Sequence, residues 1–251
     1  MPRKRDGKSK TGQTLVDQAR AELEEMIVTL KLPPGSLWSE GALSELTGIG
    51  RTPVREAVQK LAAAHLMDIV PRHGILVSKV NIGEQLLVLE ARRELERLIS
   101  VLAARRASPD ERAELPRMAG KVHDAGVAKD VMGYLRGLFE GNRFIARCSR
   151  NPYVFEAIAP LHTLSQRFYY AHHVELDDLR IAGQLHADVM LAIAAADEAG
   201  AGAAADRMMN YVEEFTRALI ARNFGSRAGG LATEESGVAA AARPAPRVVN
   251  G

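Results

Sequence analysis

The sequence predicts a mainly α-helical protein in two parts: a small N-terminal helical unit closed by a β-hairpin, and a longer all-helical bundle. Three observations carry this. A first amphipathic helix is followed by two shorter helical segments joined by the turn Thr47-Gly48-Ile49-Gly50. Two short apolar runs, Met67-Asp68-Ile69-Val70 and Ile75-Leu76-Val77, then flank Pro71-Arg72-His73-Gly74. After about residue 83 every segment keeps helical spacing, with breaks at Ser108-Pro109, Asn151-Pro152 and Gly200/Gly202.

The elements follow in order. Leu15, Ala19, Leu23, Met26, Ile27 and Leu30 recur at intervals of three and four, one face of a helix over 15–30. Pro33-Pro34-Gly35 stops it. A short helix is expected over 39–46 with Ser39 as its N-cap, and a second over 52–65 with Pro53 in its first turn. Two strands over 67–70 and 75–77 enclose a tight turn. Six helices are expected near 83–107, 109–126, 131–148, 152–172, 176–196 and 200–224, with a kink at Pro160. Residues 1–12 are basic and nearly devoid of apolar side chains, as in a disordered arm. Residues 225–251, rich in Gly, Ala, Pro and Arg without a period, read as a disordered tail. The expected domains are therefore 13–80 and 83–224.

Composition narrows the function. Of 251 residues, 47% are hydrophobic, enough for real cores, and the net charge is only +2. Any nucleic-acid site must then be a local patch. The single cysteine, Cys148, lies in apolar period with Ile145; it allows no internal disulfide and no cysteine-based zinc cage. No stretch approaches the roughly 20 apolar residues of a membrane span, so a cytoplasmic protein is expected. No nucleophile elbow, phosphate-cradling Gly loop or metal-ligand helix motif is present, which argues against an enzyme.

Helix, helix, turn, helix and hairpin, in that order, make a winged helix-turn-helix. In such a unit the start of the second short helix meets base edges in the major groove. Here that start is Arg51-Thr52-Pro53-Val54-Arg55, with Ala57, Val58, Leu61 and Ala62 turned to the core. Arginine can pair bidentately with guanine, and threonine can meet phosphate or the thymine methyl. The hairpin tip with Arg72, His73 and Gly74 would be the wing.

The stretch from Leu30 to Val80 resembles the winged-helix domain of the GntR family. The matching pieces are Leu32-Pro33-Pro34-Gly35-Ser36-Leu37, Leu43-Ser44-Glu45-Leu46-Thr47-Gly48-Ile49, Arg51-Thr52-Pro53-Val54-Arg55-Glu56-Ala57 and His73-Gly74-Ile75-Leu76-Val77. The resemblance implies operator contacts at Arg51, Thr52, Arg55, His73 and Gly74. It also marks two departures, Gly41 where many relatives carry a DNA-contacting arginine and Gly50 where serine is usual.

The second part is similar to the FadR-type branch of that family, with an FCD ligand-binding domain. The pieces that carry this are Glu90-Ala91-Arg92-Arg93-Glu94-Leu95-Glu96, Ile145-Ala146-Arg147-Cys148-Ser149-Arg150-Asn151-Pro152 and Leu185-His186-Ala187-Asp188. The resemblance implies a dimerising helical bundle holding a small metabolite, and a transcriptional regulator, repression being the family habit. Arg92 and Glu96, four apart, share a helix face. They read either as an ion pair or as an arginine that clamps an acidic effector. Many members of the branch also hold a metal with one Asp and three His. Those positions fall on Leu138, Asn142, His186 and Tyr211, so the usual metal site is expected to be absent and no cofactor is expected. Glu140 is nearby but points elsewhere on its helix.

Asn142, His186 and Tyr211 are left with Arg92 as candidate effector contacts, His186 being equally readable as a satisfied buried histidine. Arg167, in the aromatic run Gln166-Arg167-Phe168-Tyr169-Tyr170-Ala171-His172-His173, is a further candidate for an anionic ligand, while Phe168 and Tyr169 read as core. His172-His173 reads as a helix end. The alternative is that the helical half is a dimerisation module without an effector.

Overall fold

The computed structural model describes residues 14–172 and 179–230, with side chains up to 222. The expected basic arm at 1–12 and the tail beyond 230 lie outside the described residues. Among these, the elements run α1 (Leu15–Val28), β1 (Leu37–Trp38), α2 (Glu40–Thr47), α3 (Arg51–Ala63), β2 (Met67–Val70), β3 (Gly74–Val77), α4 (Ile82–Arg106), α5 (Pro109–Val127), α6 (Val131–Cys148), α7 (Pro152–Ala171), α8 (Leu179–Ala194) and α9 (Glu198–Gly230).

The N-terminal helices are set by their ends. Thr14 caps α1 and Ser39 caps α2, each accepting a backbone N–H of the first turn. Gly48 ends α2 in the left-handed conformation at φ 67°, and α3 starts three residues later. Ala19, Leu23 and Ile27 of α1 meet Leu43, Val54, Ala57, Val58 and Leu61 in one buried cluster, closed by Met67, Ile75 and Val77 of the hairpin.

The hairpin is wider than the pattern suggested. A third strand, β1, pairs antiparallel with β3, so the sheet order is β1-β3-β2. Sequence periodicity could not find it, because two residues cannot display an alternation. Its presence gives Gly74 a structural duty. With φ at 122°, a Cβ built there would lie 2.6 Å from the Trp38 carbonyl oxygen. A glycine is needed there for strand closure.

The second cluster fills the bundle of α4 to α9. Ser108 and Glu111 form a full capping box at the start of α5, where Pro109 occupies the first turn; Pro152 does the same in α7. Cys148 is fully buried, and burial pushes its thiol up to about 12. The inner stripe of α4 is unusual in being polar, with Gln85, Arg92, Glu96 and Ser100 all buried beside Leu89 and Ile99. α9 continues through 225–230, where a tail had been expected, and α8 begins at Leu179; 173–178, with His173, lie outside the described residues. His172 does end α7, as its C-cap.

α5 and α8 pack backbone to backbone. A Cβ on Gly126 would lie 2.6 Å from the Leu179 carbonyl oxygen, whereas one on Gly120, two turns earlier in α5, would meet nothing within 4 Å. The two glycines therefore respond with opposite sign to the same change. Gly120→Ala should stabilise by up to about 1 kcal/mol through helix propensity alone. Gly126→Ala should destabilise by about 1–3 kcal/mol, because the methyl overpacks a backbone contact. Urea unfolding midpoints of the two variants check this, and a stabilised Gly126→Ala would refute the close approach.

Candidate functional site

Two surfaces carry chemistry. The first is the outer edge of α3. Val54, Ala57, Val58 and Leu61 are buried, which turns Arg51, Thr52 and Arg55 outward, all three exposed. The Arg51 guanidinium lies over Gly41, whose Cβ would be 3.6 Å from Nη2. Arg55 is held by a partner that sequence reasoning missed. Its Nε and Nη2 donate to the two carboxylate oxygens of Glu40 at 2.8 and 2.7 Å. Those hydrogen bonds, with the charges of Arg55 and Arg51, hold the Glu40 carboxyl below its usual range despite some burial. No local pattern links residues fifteen apart, so this pair had no signal in the sequence.

At the wing tip Arg72 takes a left-handed φ of 65° and is exposed. His73 is also exposed, its Nδ1 3.0 Å from the Pro71 carbonyl. Four of the five predicted DNA contacts are thus solvent-exposed. The fifth, Gly74, is half-buried against β1.

The second site is a cavity of about 40 Å³ among α4, α6, α7, α8 and α9. That is room for two or three water-sized groups. Arg92, Leu138, Asn142, His186 and Tyr211 all line it, so the positions inferred by resemblance converge. Arg167 does not. It sits on another face of α7, fully buried, and donates through Nη2 to the Ser78 carbonyl oxygen where the wing leads into α4. Burial without a carboxylate partner lowers its pKa to about 10. Gln166, Ser165 and Tyr169 of α7 line the cavity instead.

The electrostatic centre is Glu96. Its Oε1 accepts from Arg92 Nη2 at 2.5 Å and Nε at 3.2 Å, and from His162 Nε2 at 2.8 Å. Burial alone would drive Glu96 toward its neutral form. The charges and hydrogen bonds of His162 and Arg92 outweigh that and keep it ionised, well below the usual carboxylate range. The Arg92–Glu96 ion pair is real, then, but buried at 4% and 6% exposure rather than on the surface. His162 was not singled out from the sequence; nothing local distinguishes it from a core histidine.

His186 donates from Nδ1 to the Ala182 carbonyl at 2.8 Å, with the Tyr134 hydroxyl 3.2 Å away. Burial lowers its pKa to about 4, so the ring is neutral, and Nδ1 alone makes both contacts. The two readings of His186 coincide: it is a satisfied buried histidine and a cavity wall. Among the described residues no group of three or more His, Cys, Asp or Glu is placed to hold a metal ion. No described helix is long and apolar enough to cross a membrane.

Comparison with known proteins agrees with this geometry. Residues 15–77 match the family of bacterial regulatory proteins named gntR, and residues 87–211 match the FCD domain. An HTH-type transcriptional regulator of Streptomyces ambofaciens is 42% identical over 60 residues, 24% of this chain and 25% of its own. The HTH-type regulator McbR of Escherichia coli is 28% identical over 112 residues, 45% of this chain and 51% of its own. Mce2R of Mycobacterium tuberculosis is 30% identical over 125 residues, 42% and 52% of the two chains. The matched stretches thus span a quarter to about half of these relatives. The solved structure of E. coli McbR superposes with a TM-score of 0.71 at 22% identity, over 83% of this chain and 99% of that one. A GntR regulator from Rhodococcus superposes at 0.60 and 16% identity, over 81% and 97%. Families and relatives are transcriptional regulators, not enzymes. The chain belongs to the GntR family and carries an FCD domain, and it is a DNA-binding transcriptional regulator.

Proposed function

We propose that this regulator works as a cytoplasmic homodimer, most simply a repressor, whose affinity for its operator changes when a small molecule fills the cavity. One observation carries the reading. α7 faces the cavity on one side and holds the DNA-binding unit on the other. His162, Ser165, Gln166 and Tyr169 line the cavity. Thr163 donates to Glu24 of α1 at 2.6 Å, Leu164 packs against the N-terminal core, and Arg167 grips Ser78. At about 100° per residue these two sets lie on nearly opposite faces of the helix. A ligand that shifts α7 therefore shifts the reading head.

A divalent metal is not part of this proposal. Leu138 offers no donor, Asn142 and Tyr211 are neutral and weak, and Glu96 Oε1 is already taken by Arg92 and His162. The small volume of the cavity favours one other reading, a dimerisation module with no effector. Thermal-shift screening separates the two, since any true ligand raises the melting temperature by mass action.

Arg51, Thr52, Arg55 and His73 are proposed as the DNA contacts. Binding to the upstream region of its own gene, followed by fluorescence anisotropy, should weaken roughly 5- to 150-fold with Arg51→Ala or Arg55→Ala. Nonspecific duplex should be affected less. Unchanged specific binding in both variants would remove α3 as the reading helix.

The junction can be tested without an effector. Thr163→Val and Arg167→Met should each speed hydrogen exchange at α1 amides by roughly 5- to 10-fold, reflecting about 1 kcal/mol lost. Protection in α5 and α8 should stay the same. If α1 exchange does not change in either variant, α7 does not hold the reading head.

A further inference from the structure

We propose that the cavity is the inner end of a longer binding site, whose outer end is the cleft between the bundle and the DNA-binding unit, and that the Phe139 ring is the door between them. The occupant is an amphipathic small molecule, with a hydrogen-bonding head in the cavity and an apolar body in the cleft. This rests on the effector reading above and deepens it. The first ground is shape. A cleft of about 750 Å³ lies between α1 and α3 on one side and α6 and α7 on the other. The cavity, at about 40 Å³, has room for a head group alone, whereas the cleft is of a size that holds whole ligands. Two side chains line both spaces, Phe139 of α6 and His162 of α7, and they form the wall that divides them.

The second ground is how differently the two halves of that wall are held. His162 is buried, and its Nε2 lies 2.8 Å from Glu96 Oε1, which ties it to α4. Phe139 is half-buried. Among the described residues it belongs to neither buried core, nor to the half-buried apolar side chains packed on them. The Arg143 guanidinium covers its ring, 5.4 Å from the centroid, and Arg143 is exposed. A cation–π contact at an exposed site holds a ring weakly. A change of rotamer therefore takes the ring out of the wall without opening either core.

The third ground is polarity. The cavity offers Arg92, Asn142 and His186 to a head group. In the cleft α7 contributes the apolar Phe155, Ile158 and Pro160, while the charges on the α1 side are paired, Asp17 with Lys60 and Arg20 with Glu24. An apolar body lying there meets Thr163, whose hydroxyl donates to Glu24. A molecule spanning both spaces thus touches the junction with the reading head directly.

Ethanol and 1-hexanol, which share a head and differ only in chain length, are the probes. They are titrated into the methyl-labelled full chain and followed by NMR, the Leu138 methyls reporting on the cavity and the Ile158 methyls on the cleft. 1-Hexanol should move both sets with a single dissociation constant. It should bind at least roughly tenfold tighter than ethanol, since each buried methylene adds about fourfold. Phe139→Trp, whose larger ring fills the doorway, should weaken the Leu138 response to 1-hexanol by roughly tenfold or more and leave that of Ile158. Movement of Leu138 alone, or two different constants at Leu138 and Ile158, overturns the joined site and leaves the effector cavity standing. So does a Leu138 response unchanged in Phe139→Trp. The wild-type titration decides the matter even if that variant fails to fold. If neither alcohol moves Leu138 in the wild-type chain, the effector cavity itself is wrong.

Discussion

The Glu96 carboxylate is the interaction on which the helical half depends. A charge buried to this degree is tolerable only with its partners in place. Arg92 lies one turn before it on α4, and His162 reaches it from α7. Three ionisable groups on two helices thus fix the spacing of α4 and α7. They also keep the cavity from closing. An apolar stripe on α4 would collapse onto its neighbours to native packing density. The polar stripe of Gln85, Arg92, Glu96 and Ser100 must instead be satisfied group by group, and that leaves a space lined with hydrogen-bonding atoms.

From that fixed point the structure reaches α1 of the DNA-binding unit through α7, which lines the cavity and packs on α1. The junction is not optimised for stability. Arg167 is buried with a carbonyl for a partner and no carboxylate, and its Nε and the Ser78 hydroxyl go unpaired. Such groups each cost free energy in the closed arrangement. A junction that holds the reading head only moderately suits a switch. Allosteric couplings are typically about 1–3 kcal/mol, and a deeply satisfied junction could not be shifted by so little. In the proposed mechanism a ligand has to move one helix, whose position is set on one face by Glu96 and contested on the other.

The elements with long periodic patterns were legible in the sequence, because burial on one face writes itself into residue spacing. α1, α3 and the bundle helices fall near their expected places. β1 did not, since a strand of two residues has no period and exists only through its pairing with β3. Side-chain roles were legible only where position on an element decides them. Arg51, Thr52 and Arg55 face outward because Val54, Ala57 and Val58 must face in. Arg92, Asn142, His186 and Tyr211 converge because their helices do. Arg167 is an effector candidate by its place in the aromatic run 166–173, yet one residue along a helix turns a side chain by about 100°, so Gln166 lines the cavity and Arg167 does not. The partners Glu40 and His162 were invisible for the same reason as β1: they come from other elements, and only tertiary structure brings them near.

Both sites use one arrangement, an arginine paired in advance with a glutamate, and solvent exposure decides what each pair can do. Arg55 pairs with Glu40 at the rim, their side chains 61% and 36% exposed. Water and salt screen such a pair, and its partner can be exchanged for a guanine edge or a phosphate at little loss. Until then Glu40 holds the Arg55 guanidinium in place through two hydrogen bonds. Arg92 and Glu96 make the same bond at 5% and 8% exposure. At that depth bulk solvent does not screen the pair, and separating it would strand a buried charge. The exposed pair is therefore suited to give up its arginine to an anion, and the buried pair to keep it. The same two residue types thus make an exchangeable pair at the rim of the N-terminal unit and a fixed one inside the bundle.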